Sequence, residues 1–310
     1  MRQPDEIAPE ATPDPDDEDS TAKQAAGRRS TLVSVAVNLG LTAAQVAAGV
    51  LAGSQALIAD AIHSLSDLIS DFVVLFASHH SQKGPDATHQ YGHQRFENAA
   101  SLVLGLLLLA VGVGMLWNAV LKLEHPEVIQ PVKLIALWVA LGALAAKELL
   151  FRYMLAVAER VRSSMLVANA WHARSDAASS LVVALGITGN VFGYRLLDPV
   201  AALIVGLMVT RMGWQFGWHA LHDLMDRSVD EETVRAIHQT MQDTPGVRGV
   251  HDVKTRRMGD MILVDVHLEV DALASVRDGH DIALEARRRV MLRRDVLNVM
   301  THVDPVDVTA

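Results

Sequence analysis

Six stretches of the chain are apolar over roughly 20 residues, the length an α-helix needs to cross the hydrocarbon of a bilayer. They run 31–53, 56–78, 99–120, 132–153, 165–193 and 197–218, and each predicts a membrane-spanning helix. The first is interrupted by Asn38 and Gln45, and Gly53-Ser54 marks a tight turn into the second. The fourth carries Lys147 and Glu148 towards its end, a pair expected to snorkel or to meet another helix. Asp198-Pro199 opens the sixth as a helix-start sequence. From about residue 226 the pattern turns polar and its period changes. A helix is predicted over 231–242, ahead of the turn Pro245-Gly246. Over 262–270 the residues alternate, with Ile262, Val264, Val266, Leu268 and Val270 on one face and Asp265, His267 and Glu269 on the other, as in a half-buried strand. Residues 249–257 are its expected hairpin partner, 278–294 a helix and 296–303 a last strand. The expected fold is a membrane all-α domain of six transmembrane helices over 30–220, followed by a small α+β domain, αββαβ, over 226–305.

The polar positions inside the spans carry the chemistry. The second span holds His63-x-x-x-Asp67 and the fifth holds His172-x-x-x-Asp176. Residues i and i+4 share a helix face, so each pair points one way. Ionisable groups in hydrocarbon are costly and mark ion paths or pairing partners. One such pair reads equally well as a structural hydrogen bond, but two identically spaced pairs favour a shared site. Two imidazole nitrogens and two carboxylate oxygens suit a tetrahedral divalent metal, zinc above all. Asp60 and Asp71, one turn to either side of the first pair, either line the path or make helix-packing hydrogen bonds.

Composition narrows the setting. Half of the residues are hydrophobic and cysteine is absent, which excludes disulfides and thiolate metal sites and disfavours soft ions such as Cu(I). The formal charge of −9 owes much to residues 1–20, where Asp5, Glu6, Glu10, Asp14, Asp16, Asp17, Glu18 and Asp19 face only Arg2. Residues 1–29 are proline-bearing, acidic and without apolar periodicity, so a disordered tail is expected, and they do not read as a signal peptide. No basic patch suited to nucleic acid is present. Lys23, Arg28, Arg29, Lys83, Arg95, Arg152, Arg160, Arg162 and Arg227 collect at one set of span ends, against Lys122, Lys133 and Arg195 at the other. The positive-inside rule then places both termini in the cytoplasm and makes the second and fifth spans antiparallel.

Two further clusters lie outside the spans. Asp86-x-x-His89-x-x-x-His93 follows the second span and forms a plausible zinc-binding trio. The α+β domain holds His251, His267, His280, His302 and Asp304, with His302 and Asp304 on one face of the last strand. Polar residues on an exposed strand face are ordinary, but four histidines in so small a domain are less so. An intramembrane metallohydrolase, the enzymatic alternative, needs a general base beside metal-bound water, and no His-Glu-x-x-His is present. A non-transporting metal sensor or scaffold is the other alternative, and it has no need of four intact membrane ligands.

The sequence resembles the cation diffusion facilitators, divalent-metal/proton antiporters. The likeness rests on GSQALIADAIHSLSDLISD, HQYGHQRFEN, NAWHARSDAASS, DPVAAL and the terminal VHDVKTRRMGD, VDVHLEV and THVDP. It implies a homodimer of six-span protomers with a metallochaperone-like cytoplasmic domain, embedded in a lipid bilayer, and it implies no enzyme activity. It further implies a transport site at His63, Asp67, His172 and Asp176, a loop site at Asp86, His89 and His93, and a dimer-interface site at His251, His267, His302 and Asp304 with His280 nearby. Arg95 and Asp226 match the family's charge interlock, with Arg95 where many members carry Lys. Two histidines in the transport site resemble the zinc-selective pattern, while Fe²⁺, Co²⁺, Ni²⁺, Cd²⁺ and Mn²⁺ stay open as substrates. The expected activity is Zn²⁺ efflux in exchange for protons across a bacterial inner membrane. The long His-rich loop of many eukaryotic zinc transporters is absent between the fourth and fifth spans.

Overall fold

The computed structural model describes residues 15–81, 83–129, 131–160 and 164–307. Each expected span is a helix: α1 (Pro15–Ala52), α2 (Gln55–Ser81), α3 (Arg95–Glu124), α4 (Leu134–Arg160), α5 (Ser164–Val191) and α6 (Leu197–Leu224). Residues 29–52 of α1, together with α3, α4 and α6, are long and apolar enough to cross a membrane. The other two, α2 and α5, carry the polar positions: Asp60, His63, Asp67 and Asp71 on one, His172, Arg174 and Asp176 on the other.

One expectation is corrected at the N-terminus. The tail was expected to be disordered to residue 29, yet α1 begins at Pro15. Proline at the first helical position, acidic residues next and then alanines make a favourable helix start. That local preference outweighs the high charge that argued for disorder. Residues 1–14 lie outside the described residues.

By contact density the chain divides into two units. One comprises the chain up to Ile69 with Gly112–Val209, and the other comprises Ser70–Val111 with everything from Thr210. The division runs through α2, α3 and α6. In the first unit, α4 packs on α1 and α5. Its core is built largely of small residues, among them Ala56, Ala136, Ala140, Ala184 and Ala201, filled in by Leu57, Val183, Ile187 and Val205. Leu51, Trp117, Trp138, Leu185 and Phe192 are exposed, an apolar surface that suits lipid rather than water. Gly53 takes φ 73°, which lets α1 reverse into α2 within one turn. Ser54 caps α2 by accepting from the Leu57 amide at 3.1 Å, and its hydroxyl donates to Asp198 Oδ1 at 2.5 Å. Asp198 Oδ2 accepts from the Gln55 amide at 2.8 Å, so the start of α6 also fixes the start of α2.

The second unit contains the α+β elements in the expected order: α7 (Glu231–Gln242), β1 (Gly249–Met258), β2 (Met261–Asp271), α8 (Val276–Val290) and β3 (Val296–Val306). The sheet order is β1-β2-β3, with β1 antiparallel and β3 parallel to β2. Gly259, at φ 61°, makes the β1–β2 turn. Ser275 and Asp278 form a capping box that starts α8 ahead of the expected position. Ile262, Val264, Val266 and Leu268 are buried against Ile237, Met241, Ala286 and Val290, so the alternating pattern of β2 puts the predicted face in the core. Asp265, His267 and Glu269 are left on the other face of the sheet.

Candidate metal-binding sites

In the first unit, His63 and Asp67 lie one turn apart on α2. His63 Nδ1 is 3.7 Å from Asp67 Oδ2, beyond hydrogen-bond reach, and the side chains are 8% and 18% exposed. Asp176 of α5 completes a group of three whose ligand atoms lie within 4.8 Å of one another. His63 Nδ1 is buried without a hydrogen-bond partner among the described residues. An unpartnered buried nitrogen carries a desolvation cost, and a metal ion is a partner that removes it. One imidazole and two carboxylates form a donor set that first-row divalent cations accept. His172 stands one turn before Asp176 on α5 but is exposed and outside the converging group. The structure therefore brings together His63, Asp67 and Asp176 and leaves the fourth expected ligand apart. The side chain of Asp71 lies outside the described residues.

The loop between α2 and α3 is organised by Asp86. Its Oδ1 accepts from the Thr88 amide at 2.8 Å, the Thr88 hydroxyl at 2.8 Å and the His89 amide at 2.7 Å. These hydrogen bonds to the ionised form, led by the Thr88 hydroxyl, lower the Asp86 pKa to about 2. Its Oδ2 is left to face His93 Nε2 at 3.4 Å. His93 Nδ1 lies 3.2 Å from the Gly84 carbonyl and 3.3 Å from that of Lys83. A proton on Nδ1 donated there leaves Nε2 as the lone-pair nitrogen, which is how second-shell carbonyls set up histidine ligands. The His89 ring lies tilted against His93 with centroids 4.4 Å apart, and Asp86, His89 and His93 converge as predicted. His89 and His93 also line a cavity of about 550 Å³, with Arg95, Phe96, Arg256 and Met258.

In the sheet, register builds the third group. His251 pairs with His267 across β1 and β2, and His267 pairs with His302 across β2 and β3. Three histidines thus stand side by side on the face away from the helices, with ring centroids 5.2 and 4.7 Å apart. Asp304, two residues past His302, turns its carboxylate into the row. Its Oδ2 lies 2.9 Å from His267 Nδ1 and 3.3 Å from His251 Nε2, and its Oδ1 lies 3.3 Å from His302 Nε2. The His267 hydrogen bond is the main cause that lowers the Asp304 pKa, with the three imidazoles adding to it. The donor chemistry fits a divalent ion held by His251, His267, His302 and Asp304. His280 does not join them: α8 packs on the opposite, apolar face of the sheet.

Asp252 belongs with this row although alternation gave no sign of it. A bulge between His251 and Lys254, with Asp252 at φ 49°, brings its carboxylate within 4.8 Å of His251 and His267. Arg95 and Asp226 do pair, through Arg95 Nη2 and Asp226 Oδ1, and Arg95 Nη1 donates to the Leu224 carbonyl at 3.3 Å. Their side chains are 42% and 47% exposed, so the pair is more solvated than an interlock buried in the protein.

Comparison with known proteins identifies the family. Residues 31–225 match the family model described as cation efflux transmembrane domain, and residues 229–306 match that of the cation efflux protein cytoplasmic domain. Metal tolerance protein C1 of Arabidopsis thaliana is 34% identical over 294 residues, covering 90% of this chain and 62% of that protein. The chain therefore spans less than two thirds of that relative. Manganese efflux system protein MneS of Bacillus subtilis is 33% identical over 286 residues, covering 91% of this chain and 96% of its own length. Magnetosome protein MamB of Magnetospira sp. is 32% identical over 275 residues, covering 88% and 94%. With both domains matched, a membrane bundle carrying converging histidine and carboxylates, and a sheet bearing a histidine row, this chain belongs to the cation diffusion facilitator family of metal cation efflux transporters.

Proposed function

We propose that the chain is a homodimeric proton antiporter that exports a divalent metal ion from the cytoplasm, with zinc as its first substrate. The observation that carries this reading is the convergence of His63, Asp67 and Asp176 inside the helical bundle, with His63 Nδ1 buried and unpartnered. In this reading His172, one turn from Asp176, is the fourth donor of the metal-bound state. Metal binds from the cytoplasmic side, the helices rearrange to open the site outward, and external protons displace the ion, because a protonated imidazole no longer binds metal. Both termini are cytoplasmic and the membrane is a bacterial inner membrane. Zinc held by His251, His267, His302 and Asp304 draws two cytoplasmic domains together and ties transport rate to cytoplasmic metal.

A second substrate reading has its own support. The converging trio has one nitrogen and two carboxylate donors, a set that also suits manganese, and a 33% identical relative is named a manganese efflux system protein. Purified protein in proteoliposomes with an imposed pH gradient, loaded with one metal at a time, tests both. Proton-coupled zinc flux that falls more than manganese flux in His172→Ala supports the zinc reading. Manganese flux indifferent to His172 supports the second, and no metal flux with either sinks the antiport proposal.

A further inference from the structure

An ion pair lies enclosed in the first unit, and no step above uses it. Lys147 Nζ on α4 is 3.5 Å from Asp60 Oδ1 on α2, with side chains 2% and 1% exposed. The ammonium also donates to Ser64 Oγ at 3.0 Å and Ser180 Oγ at 2.7 Å, which uses its three protons. Asp60 Oδ2 accepts from Gln45 Nε2 and from Ser180 Oγ, each at 2.6 Å, and Ser179 Oγ lies 3.1 Å from Oδ1. All six side chains are buried. Asp60 precedes His63 by one turn on α2, and Ser180 follows Asp176 by one turn on α5. The cage therefore sits about one helical turn, roughly 5 Å, along from the metal-ligand group.

The chemistry of this cage is that of a cation site whose cation is supplied by the protein. A carboxylate, serine hydroxyls and an amide form an all-oxygen set, the kind preferred by hard divalent ions such as Mn²⁺. A second observation points the same way: Gln45 Oε1, on the amide that meets Asp60, is buried and has no hydrogen-bond partner among the described residues. Turning that amide would offer a further oxygen to an ion beside Asp60. Without Lys147 the carboxylate would be an uncompensated charge in a low-dielectric interior, which strongly favours capture of another cation.

We propose that Lys147 is a tethered counter-cation that keeps a second metal ion out of the bundle. Its ammonium fills the oxygen cage around Asp60 that a hard divalent ion would otherwise occupy, next to the transport ligands. This rests on the reading of His63, Asp67 and Asp176 as those ligands. An ion leaving them then meets a fixed positive charge rather than a second well, and a path that conducts must not bind too strongly at successive stations.

The test counts Mn²⁺ bound per protomer by full-length protein in detergent, using manganese chloride as the probe and electron paramagnetic resonance as the readout. His63→Ala/Asp176→Ala should bind one ion fewer than the unmodified protein. Adding Lys147→Gln to that variant should restore one ion per protomer, with an all-oxygen spectrum. Adding Asp60→Asn as well should remove it, and Lys147→Arg should gain nothing. If Lys147→Gln folds and binds no extra ion, or if its extra ion survives Asp60→Asn, the proposal is overturned. If Lys147→Gln folds only when manganese is present, the proposal is supported. If it fails to fold even with manganese while Lys147→Gln/Asp60→Asn folds, Asp60 does not accept metal and the proposal is overturned. It is equally overturned if the double variant also fails, because Lys147 then does more than neutralise Asp60. An unchanged count in His63→Ala/Asp176→Ala strikes instead at the transport-site reading.

Discussion

Asp226→Asn removes the negative charge facing Arg95 but keeps an oxygen acceptor on a side chain that tolerates the left-handed backbone at φ 60°. The magnitude follows from exposure. Two unit charges in contact attract by about 1 kcal/mol in water and about 4 kcal/mol at the effective dielectric of a protein surface. With side chains 42% and 47% exposed, screening and the entropy of fixing both groups bring a pair of this kind to about 1 kcal/mol or less. For a chain of this size that shifts the thermal midpoint by about 2 °C. The assay is a double-mutant cycle of Asp226→Asn and Arg95→Gln, followed by thermal unfolding in one detergent at low salt and at about 0.5 M salt. Each single variant should lose about 2 °C, the double should lose clearly less than the sum, and salt should erase most of the difference. Losses above about 6 °C that persist in salt would mean a desolvated pair and would refute the reasoning. Exchanging the two residues is a poorer experiment. Arginine at φ 60° adds strain of about 1 kcal/mol, as large as the interaction under test.

Three other outcomes are expected. His63→Ala and Asp176→Ala should each abolish metal flux in proteoliposomes while the protein still elutes at its normal size; near-normal flux in either would remove that residue from the transport site. Asp304→Asn, which takes away the carboxylate shared by three histidines, should weaken zinc binding at the sheet by at least about tenfold in a zinc titration of the full chain, and unchanged affinity would show that Asp304 is not a ligand. The Asp86 pKa is lowered to about 2 by hydrogen bonds from Thr88 and His89, so its contribution to loop order is complete above the ordinary carboxylate pKa and is lost only as pH falls towards 2. Carboxyl carbon resonances should place its midpoint near 2 and keep the loop ordered at pH 5; a midpoint near 4 would contradict the turn geometry.

The α+β domain was readable because each element carries its own local signal. Alternation marks β2 and Gly259 marks its turn, while the capping box of Ser275 and Asp278 starts α8 at Val276, two residues ahead of the expected 278. The histidine row was readable only in part. Alternation puts His302 and Asp304 on one face, but the alignment of His251, His267 and His302 depends on strand register. Spacing within a strand says nothing about its neighbour, and the bulge that delivers Asp252 has no periodic signature. The N-terminal end of α1 was misread because charge was weighed above helix-start chemistry.

In the bundle, spacing predicts level but not direction. On antiparallel helices a step forward along α2 matches a step backward along α5. Asp60 therefore stands level with Ser180, His63 with Asp176, and Asp67 with His172. The hydrogen bond between Ser180 and Asp60 and the group of His63 with Asp176 obey this ladder. His172 has the right level but is exposed and outside the converging group, which i to i+4 spacing cannot forbid. Lys147 was open to an argument from elimination that the apolar pattern alone does not supply. A lysine in the body of a span needs a carboxylate. Its neighbour Glu148 pairs one turn along its own helix with Arg152 at 2.9 Å. On the two polar helices, Asp67 and Asp176 are taken by the metal-ligand group, and of the remaining carboxylates Asp60 lies on the side of that group where the first turns of α2 are buried. Charge balance, applied span by span, leads from Lys147 to Asp60, and the 3.5 Å separation of Nζ and Oδ1 agrees with it.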